Sequence, residues 1–272
     1  MTDDTVSNLP TAKTLHVYAL QPDVMWHSPQ QNRERFAEQI ELARPDAGSL
    51  VILPEAATTG FTNDVSGMSD TDRETSNWLA GLSRQYNCHF LCGVINTDPL
   101  SGLGQNQAIL ASPTGATSSY TKVNPFPLSR EDDYFTAGDE VSVLKVGEAS
   151  VCPLICYDLR FPETFRRGVG AEVFVLIANW PASRMHHWHA LLRARAIENQ
   201  AYVVGVNRTG TDPTVQYAGG SVIFDYDGHV VKEMDERPGA MATRLDLTTL
   251  REYRKKLPFL PKGRRQTTLA GA

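Results

Sequence analysis

Val151-Cys-Pro-Leu-Ile-Cys156-Tyr-Asp-Leu-Arg160-Phe-Pro-Glu163 changes character at one residue. An apolar run carries the chain to Cys156, and polar residues and a proline follow at once. The pattern predicts a buried strand that turns sharply into a helix. At that corner the sulfur sits at a strand's end beside a helix N-terminus, whose oriented N–H groups favour a thiolate. Free cysteine is also among the most buried residue types. On this segment alone, a packed and inert thiol is the commoner reading.

Outward from the corner, apolar runs and amphipathic stretches alternate. Upstream, strands are expected at Leu15–Leu20, Ser49–Pro54, Phe90–Ile95, Asn106–Ala111 and through Ser119 and Tyr120, with helices at Gln30–Ala43 and Asp70–Tyr86. Pro125 and Pro127 force an irregular loop to about Gly138. Val141–Val146 pairs with the cysteine strand as a hairpin. Downstream follow a short helix at Phe161–Gly168, a strand at Val173–Ala178 and a helix at Met185–Gln200. Strands at Ala201–Asn207 and Gly220–Phe224 precede an Asp227-Gly228 turn into Val230–Lys232, then Ala240–Leu245 and a helix at Thr248–Arg254. Several strands are apolar throughout and need cover on both faces. The expectation is one α/β domain over residues 14–258, between an N-terminal tail (1–13) and a C-terminal tail (259–272).

The chain's 272 residues suffice for a substantial core. A net charge of −5 provides no electrostatic footprint for nucleic acid. Met1–Pro10 lacks the basic start and apolar run of a secretory signal, and no apolar stretch nears the roughly 18 residues of a membrane span. Four cysteines in a chain this long do not make a disulfide framework. Reduced thiols in a cytoplasmic protein are therefore expected.

Three polar residues stand where packing alone does not explain them. Glu55 directly follows Leu-Val-Ile-Leu-Pro, Lys122 follows the strand end at Tyr120-Thr121, and Cys156 ends its own strand. Ligands of open α/β sheets bind outside the carboxyl ends of strands. Each residue has a bland alternative: a helix-capping acid, a solvated loop lysine, a packed thiol. Together they have the chemistry of acyl transfer. A thiolate attacks a carbonyl or nitrile carbon, a carboxylate moves the proton, and an ammonium with the backbone N–H after the nucleophile holds the oxyanion.

Leu53-Pro-Glu55, Tyr120-Thr-Lys122 and Cys156-Tyr-Asp-Leu-Arg-Phe-Pro-Glu163 resemble the Glu–Lys–Cys signatures of the nitrilase superfamily of carbon–nitrogen hydrolases. Glu131-Asp-Asp-Tyr-Phe135-Thr-Ala-Gly138, His187-Trp188 with Arg195-Ala-Ile-Glu198-Asn199, and Gly220-Ser221 with Asp227-Gly228 extend the resemblance from about Leu15 to Leu247. It implies a four-layer α-β-β-α sandwich that forms homodimers. Cys156 would be the nucleophile, Glu55 the general base and Lys122 the oxyanion stabiliser. Glu131 would orient Lys122, and Tyr157 would contribute its backbone N–H. The loop Val123-Asn124-Pro125-Phe126 departs from the family's usual wording after the lysine.

Leu154-Ile-Cys-Tyr-Asp-Leu-Arg-Phe-Pro and Ala178-Asn-Trp-Pro-Ala182 look most like the omega-amidase branch. That resemblance implies hydrolysis of the terminal amide of 2-oxoglutaramate and 2-oxosuccinamate through a thioester. The alternatives are an N-carbamoyl amide hydrolase, another small-amide or nitrile hydrolase, and a non-catalytic binding relative. Arg160 and Arg184 are the nearest cations for the substrate's carboxylate, although Arg160 has a structural ion pair with Glu163 or another acid as its simpler role. Phe61, Asn179 and Trp180 complete the expected substrate-binding set, with core filling the plainer role for Trp180. No cofactor or metal is called for. Cys88, Cys92 and Cys152 suit packing better than zinc, and His186, His187 and His189 suit structural hydrogen bonding. The basic segments Arg251–Lys256 and Lys262–Arg265 suit a solvated surface.

Overall fold

In a computed structural model, residues 13–260 are described. The two tails fall almost wholly outside that range, and so does the basic Lys262–Arg265 segment. In chain order the elements are β1 (Thr14–Gln21), α1 (Pro29–Ala43), β2 (Leu50–Ile52), α2 (Val65–Met68), α3 (Glu74–Tyr86), β3 (His89–Thr97), β4 (Gly104–Ala111) and β5 (Thr117–Thr121). After the proline-rich loop come α4 (Glu131–Tyr134), β6 (Leu144–Val146), β7 (Ala149–Ile155), α5 (Pro162–Arg167), β8 (Val173–Ile177), α6 (Met185–Asn199) and β9 (Tyr202–Val206). The remainder are β10 (Thr209–Thr211), β11 (Gln216–Ala218), β12 (Val222–Phe224), β13 (Val230–Glu233), β14 (Gly239–Asp246) and α7 (Leu247–Lys256).

Two six-stranded sheets result, ordered β14-β1-β2-β3-β4-β5 and β13-β12-β9-β8-β7-β6. Each has a parallel centre, β1-β2-β3 in one and β7-β8-β9 in the other, with antiparallel strands outside it. The period of two along β1 divides its side chains between two cores. Leu15, Val17 and Ala19 point at the other sheet, whereas Tyr18 and Leu20 meet Phe36 and Ile40 of α1 and Leu79 of α3. The second sheet is covered by α5 and α6, with Phe165, Trp188 and Leu192 in the main core. Since both faces of each sheet are covered, β8 and β9, and β7 from Val151 on, have no solvent side, as parallel strands require. The four α-β-β-α layers match the expected sandwich.

Every predicted strand and helix is present, with ends displaced by a few residues. The short helices α2 and α4 and the β10–β11 hairpin were not anticipated. The hairpin sequence, Thr-Gly-Thr-Asp-Pro-Thr-Val-Gln-Tyr-Ala, is polar and Pro-interrupted, so its pairing leaves little hydrophobic pattern. Among the described residues, no helix is long and apolar enough to cross a membrane.

Candidate active site

β2 and β5 run the same way in one sheet, as β7 and β8 do in the other, and the loops leaving the carboxyl ends of these four strands meet at one cavity. Glu55 leaves β2 through Leu53-Pro54, and Gly93 on β3 allows that path. A Cβ at Gly93 would lie 2.4 Å from Glu55 Cα and 2.5 Å from Ala56 N, both backbone atoms. Gly93→Ala is expected to destabilise by about 1–3 kcal/mol, as overpacking does, and to lower turnover by displacing Glu55. A thermal melt beside an activity assay checks both.

Gly138 plays the matching part for Lys122. Its N–H donates to Lys122 O at 2.8 Å, and a Cβ there would fall 2.2 Å from Thr121 O. The glycine that closes the Glu-x-x-x-Phe-x-x-Gly segment thus packs directly on the strand end carrying the lysine.

Three ionisable side chains converge in the interior: Glu55, Lys122 and Glu131, exposed by 1%, 2% and 0%. Lys122 Nζ donates to Glu55 Oε1 at 3.2 Å and to Glu131 Oε2 at 2.7 Å. Burial alone would favour the neutral amine, but the charges of Glu131 and then Glu55 outweigh it and hold the ammonium above its ordinary range. Asn106, at the start of β4, donates from one Nδ2 to Glu55 Oε1 at 2.8 Å and Glu131 Oε1 at 2.9 Å. Glu55 Oε2 accepts from the Asn179 backbone N–H at 2.8 Å, and Asn179 Nδ2 donates to Glu55 O at 2.8 Å. The Phe126 N–H donates to Glu131 Oε2 at 2.6 Å. Neither carboxylate can rotate without breaking several bonds.

Cys156 follows β7 with φ at +45°, a left-handed conformation costly for a residue with a Cβ. A 3-10 turn, Cys156–Arg160, runs from it into α5. Asp158 holds that corner. Its Oδ2 accepts from Ile155 N at 2.9 Å and from the Tyr120 hydroxyl at 2.7 Å, and its Oδ1 accepts from Asn124 Nδ2 at 2.8 Å. The unusual Val123–Phe126 loop therefore secures the cysteine turn through Asn124 and Glu131 through Phe126. Burial raises the Asp158 carboxyl despite these hydrogen bonds.

The expected thiolate is not what these surroundings favour. Burial first, then the negative charge of Glu55, push the Cys156 thiol well above its ordinary range, and Lys122 only partly opposes them. The turn at the strand end is short and 3-10 in form, so its N–H groups are outweighed by the nearby carboxylates. The resting sulfur carries its proton.

A cavity of about 410 Å³ opens over this cluster and brings together every residue singled out from the sequence: Glu55, Phe61, Lys122, Glu131, Cys156, Tyr157, Arg160, Asn179, Trp180 and Arg184. Phe61 lies beneath Lys122, with Nζ 5.6 Å from its ring centroid. Trp180 is both wall and core: it is buried, its Nε1 donates to Arg184 O at 2.9 Å, and its ring lies 5.4 Å from that of Trp188. Arg160 does not pair with Glu163. Its guanidinium stands 5.1 Å from the Trp180 ring and donates to His187 Nδ1 at 3.2 Å. Arg184 stands 5.6 Å from the Phe126 ring.

The outer wall was not foreseen. It consists of Trp26 from the β1–α1 loop and Asp212–Val215 with Tyr217 from the β10–β11 hairpin. Asn106 and Asp158 were also missed: Asn106 stands between Gln105 and Gln107 and is told apart from them only by its burial, whereas an aspartate two residues past the cysteine was a visible signal. Cys88, Cys92 and Cys152 are buried and free, and no cluster of three or more metal-ligating side chains occurs among the described residues.

A four-layer sandwich with a buried Glu–Lys–Glu cluster beside a cysteine turn defines the class. Residues 17–255 match the family described as Carbon-nitrogen hydrolase. The chain belongs to that family and is thus a hydrolase of carbon–nitrogen bonds other than peptide bonds. It is 34% identical to the omega-amidase YafV of Escherichia coli over 249 residues, 90% of this chain and 94% of that one. It is 33% identical to the 2-oxoglutaramate amidase of Bacillus subtilis over 246 residues, 89% and 95% of the two chains. Among solved structures it is similar to XC1258 of Xanthomonas campestris, a CN-hydrolase superfamily protein with an arsenic adduct in its active site. There the TM-score is 0.85 at 31% identity, covering 90% of this chain and 96% of that one. The fold is shared with Nit3 of Saccharomyces cerevisiae, at TM-score 0.83 and 23% identity over 92% and 96% of the chains.

Proposed function

We propose that the chain hydrolyses the terminal amide of short omega-amides of 2-oxo dicarboxylic acids, 2-oxoglutaramate and 2-oxosuccinamate, through a thioester on Cys156. The observation that carries this is the pairing of the Cys156 thiol with two guanidiniums, Arg160 and Arg184, in one small cavity. Both stack on aromatic rings rather than on carboxylates. A substrate with an amide at one end and a carboxylate at the other satisfies both ends of such a cavity. The similarity to the omega-amidase and the 2-oxoglutaramate amidase supports the same substrate class.

In this mechanism Glu55 takes the thiol proton as the sulfur attacks the amide carbon, so charge separation develops only with bond formation. The resulting oxyanion accepts from Lys122 Nζ, an ammonium with three donors, and from the Tyr157 backbone N–H. Glu55 returns the proton to the nitrogen, ammonia leaves, and the thioester remains. A water then gives a proton to Glu55, its oxygen attacks the thioester, and the acid departs as the thiol is re-protonated. Glu131 and Asn106 keep Lys122 and Glu55 in register throughout. Phe61, Asn179 and Trp180 form the wall against which the acyl chain lies.

Ammonia release from 2-oxoglutaramate, glutaramate, N-carbamoyl amino acids and simple nitriles, compared side by side, tests the assignment. Preference for 2-oxoglutaramate is expected; preference for a carbamoyl or nitrile substrate would transfer the protein to another branch. Since the cavity's donor set lacks a metal-binding cluster, treatment with a chelator is expected to leave turnover unchanged. Loss of activity restored by zinc would contradict the thiol mechanism. We further infer a homodimer, the form the family resemblance implies and light scattering on the purified protein tests, working in the cytoplasm, with which the four free thiols agree.

A further inference from the structure

We propose that His187 is a positioning residue that sets the carboxylate grip of Arg160 and makes it dependent on pH. The inference rests on the reading that Arg160 receives the substrate's carboxylate.

Arg160 reaches the cavity wall from the 3-10 turn after β7, on a long side chain with many rotamers. Two contacts define its pose. The Trp180 ring lies 5.1 Å from its guanidinium carbon, and Nη2 donates to His187 Nδ1 at 3.2 Å. His187 sits in the first turn of α6 behind Arg160, outside the residues that line the cavity. Arginine has only donors, so this bond requires Nδ1 to accept, which fixes the neutral ring with its proton on Nε2. A protonated ring offers only donors, and its charge repels the guanidinium. The bond then breaks, and Arg160 is released into rotamers in which it no longer faces the substrate.

The charged and titratable groups acting on His187 are all cationic or potentially so: its helix neighbour His186, Arg160 from the 3-10 turn, and Arg184 from the turn before α6. Burial first, then these three, lower its pKa below the ordinary histidine value. The sign follows directly. The ring is neutral and the grip intact at pH 7 and above, and the grip loosens only once the pH has fallen beneath the ordinary histidine range. A free carboxylate substrate titrates near 4, beneath this window.

The experiment compares KM for glutaramate with KM for valeramide, an amide of equal length with a methyl group in place of the carboxylate. In wild type the preference for glutaramate is expected to fall about tenfold between pH 7.5 and 5, with kcat for the two amides changing in parallel. His187→Ala should lose that preference by a similar factor at every pH while KM for valeramide stays within about twofold. His187→Asn places an amide oxygen near the Nδ1 position and should keep the preference and flatten its pH profile. Arg160→Met separates the two readings. If it keeps the glutaramate preference, the carboxylate assignment falls and the proposal with it. If it loses the preference and His187→Ala keeps it, only the role of His187 is overturned. Should His187→Ala fail to fold, a flat wild-type preference from pH 7.5 to 5 is equally decisive against the proposal.

Discussion

Replacing Cys156 with alanine is expected to reduce ammonia release by about 10⁵-fold or more, the scale on which loss of a covalent nucleophile is felt. No other group can take its place: the three remaining thiols, Cys88, Cys92 and Cys152, are fully buried in the core. The fold should persist. Cys156 lines the cavity, and its corner is held by Asp158 through Ile155, Tyr120 and Asn124 rather than by its own sulfur. At φ of +45°, alanine inherits the same backbone conformation with a Cβ of the same kind. Circular dichroism and a thermal melt alongside the ammonia assay separate the two effects. Undiminished turnover in a folded Cys156→Ala protein would remove the nucleophile assignment.

Replacing Lys122 with methionine should damage stability and catalysis together. The side chain's volume is nearly kept, so the effect is electrostatic rather than a cavity. Glu55 and Glu131 are then left buried, sharing a single Asn106 amide, without the ammonium that bonds both. Breaking one member out of a buried ion cluster costs about 3–5 kcal/mol. The loss should be largest at alkaline pH and shrink as pH falls, because a carboxyl released from its cation accepts a proton more readily. In wild type the Lys122 ammonium is held above its ordinary range. Its contribution is thus complete below the unfolded lysine value of about 10.4 and is lost only as pH rises beyond the folded value. Turnover should fall by a further 10²–10³-fold, as when an oxyanion donor is removed. Urea unfolding at pH 5.5 and 8.5 measures the first effect and steady-state kinetics the second. Equal stability at both pH values would mean that Lys122 does not neutralise the pair.

Much of this site was legible because chain corners are local. Leu53-Pro-Glu55, Tyr120-Thr-Lys122 and Ile155-Cys156 each place a reactive side chain directly after an apolar strand, and the strand's own hydrogen-bonding direction carries it to the sheet's end. The alternation of elements from β1 to α7 sufficed for the fold class, since apolar strands without a polar face must be covered on both sides. Gly138, too, is marked by its motif, while its close approach to Thr121 O exists only in the fold.

What remained hidden depends on which distant segments touch. Asn106 becomes the bridge between Glu55 and Glu131 only because β4 lies between β3 and β5. Trp26 and the β10–β11 hairpin join the cavity wall through polar loop segments whose sequence has no periodicity to place them. The partner of Arg160 was misassigned for a similar reason. Glu163 is near it in sequence, but α5 carries that carboxylate away while α6 returns His187 to within 3.2 Å.

The state of Cys156 was decided at the same level. Its own neighbours in the chain suggested a helix terminus that lowers a thiol's pKa, and they set the strand, the turn and the φ of +45°. Glu55 and Glu131 come from 101 and 25 residues earlier in the sequence. Once packing brings them and the surrounding apolar walls to the sulfur, burial and like charge outweigh the local dipole. The short strand-to-turn segment determines where the sulfur is, because backbone direction is a local property. Whether that sulfur holds its proton is set by charges and solvent exclusion that exist only in the folded chain.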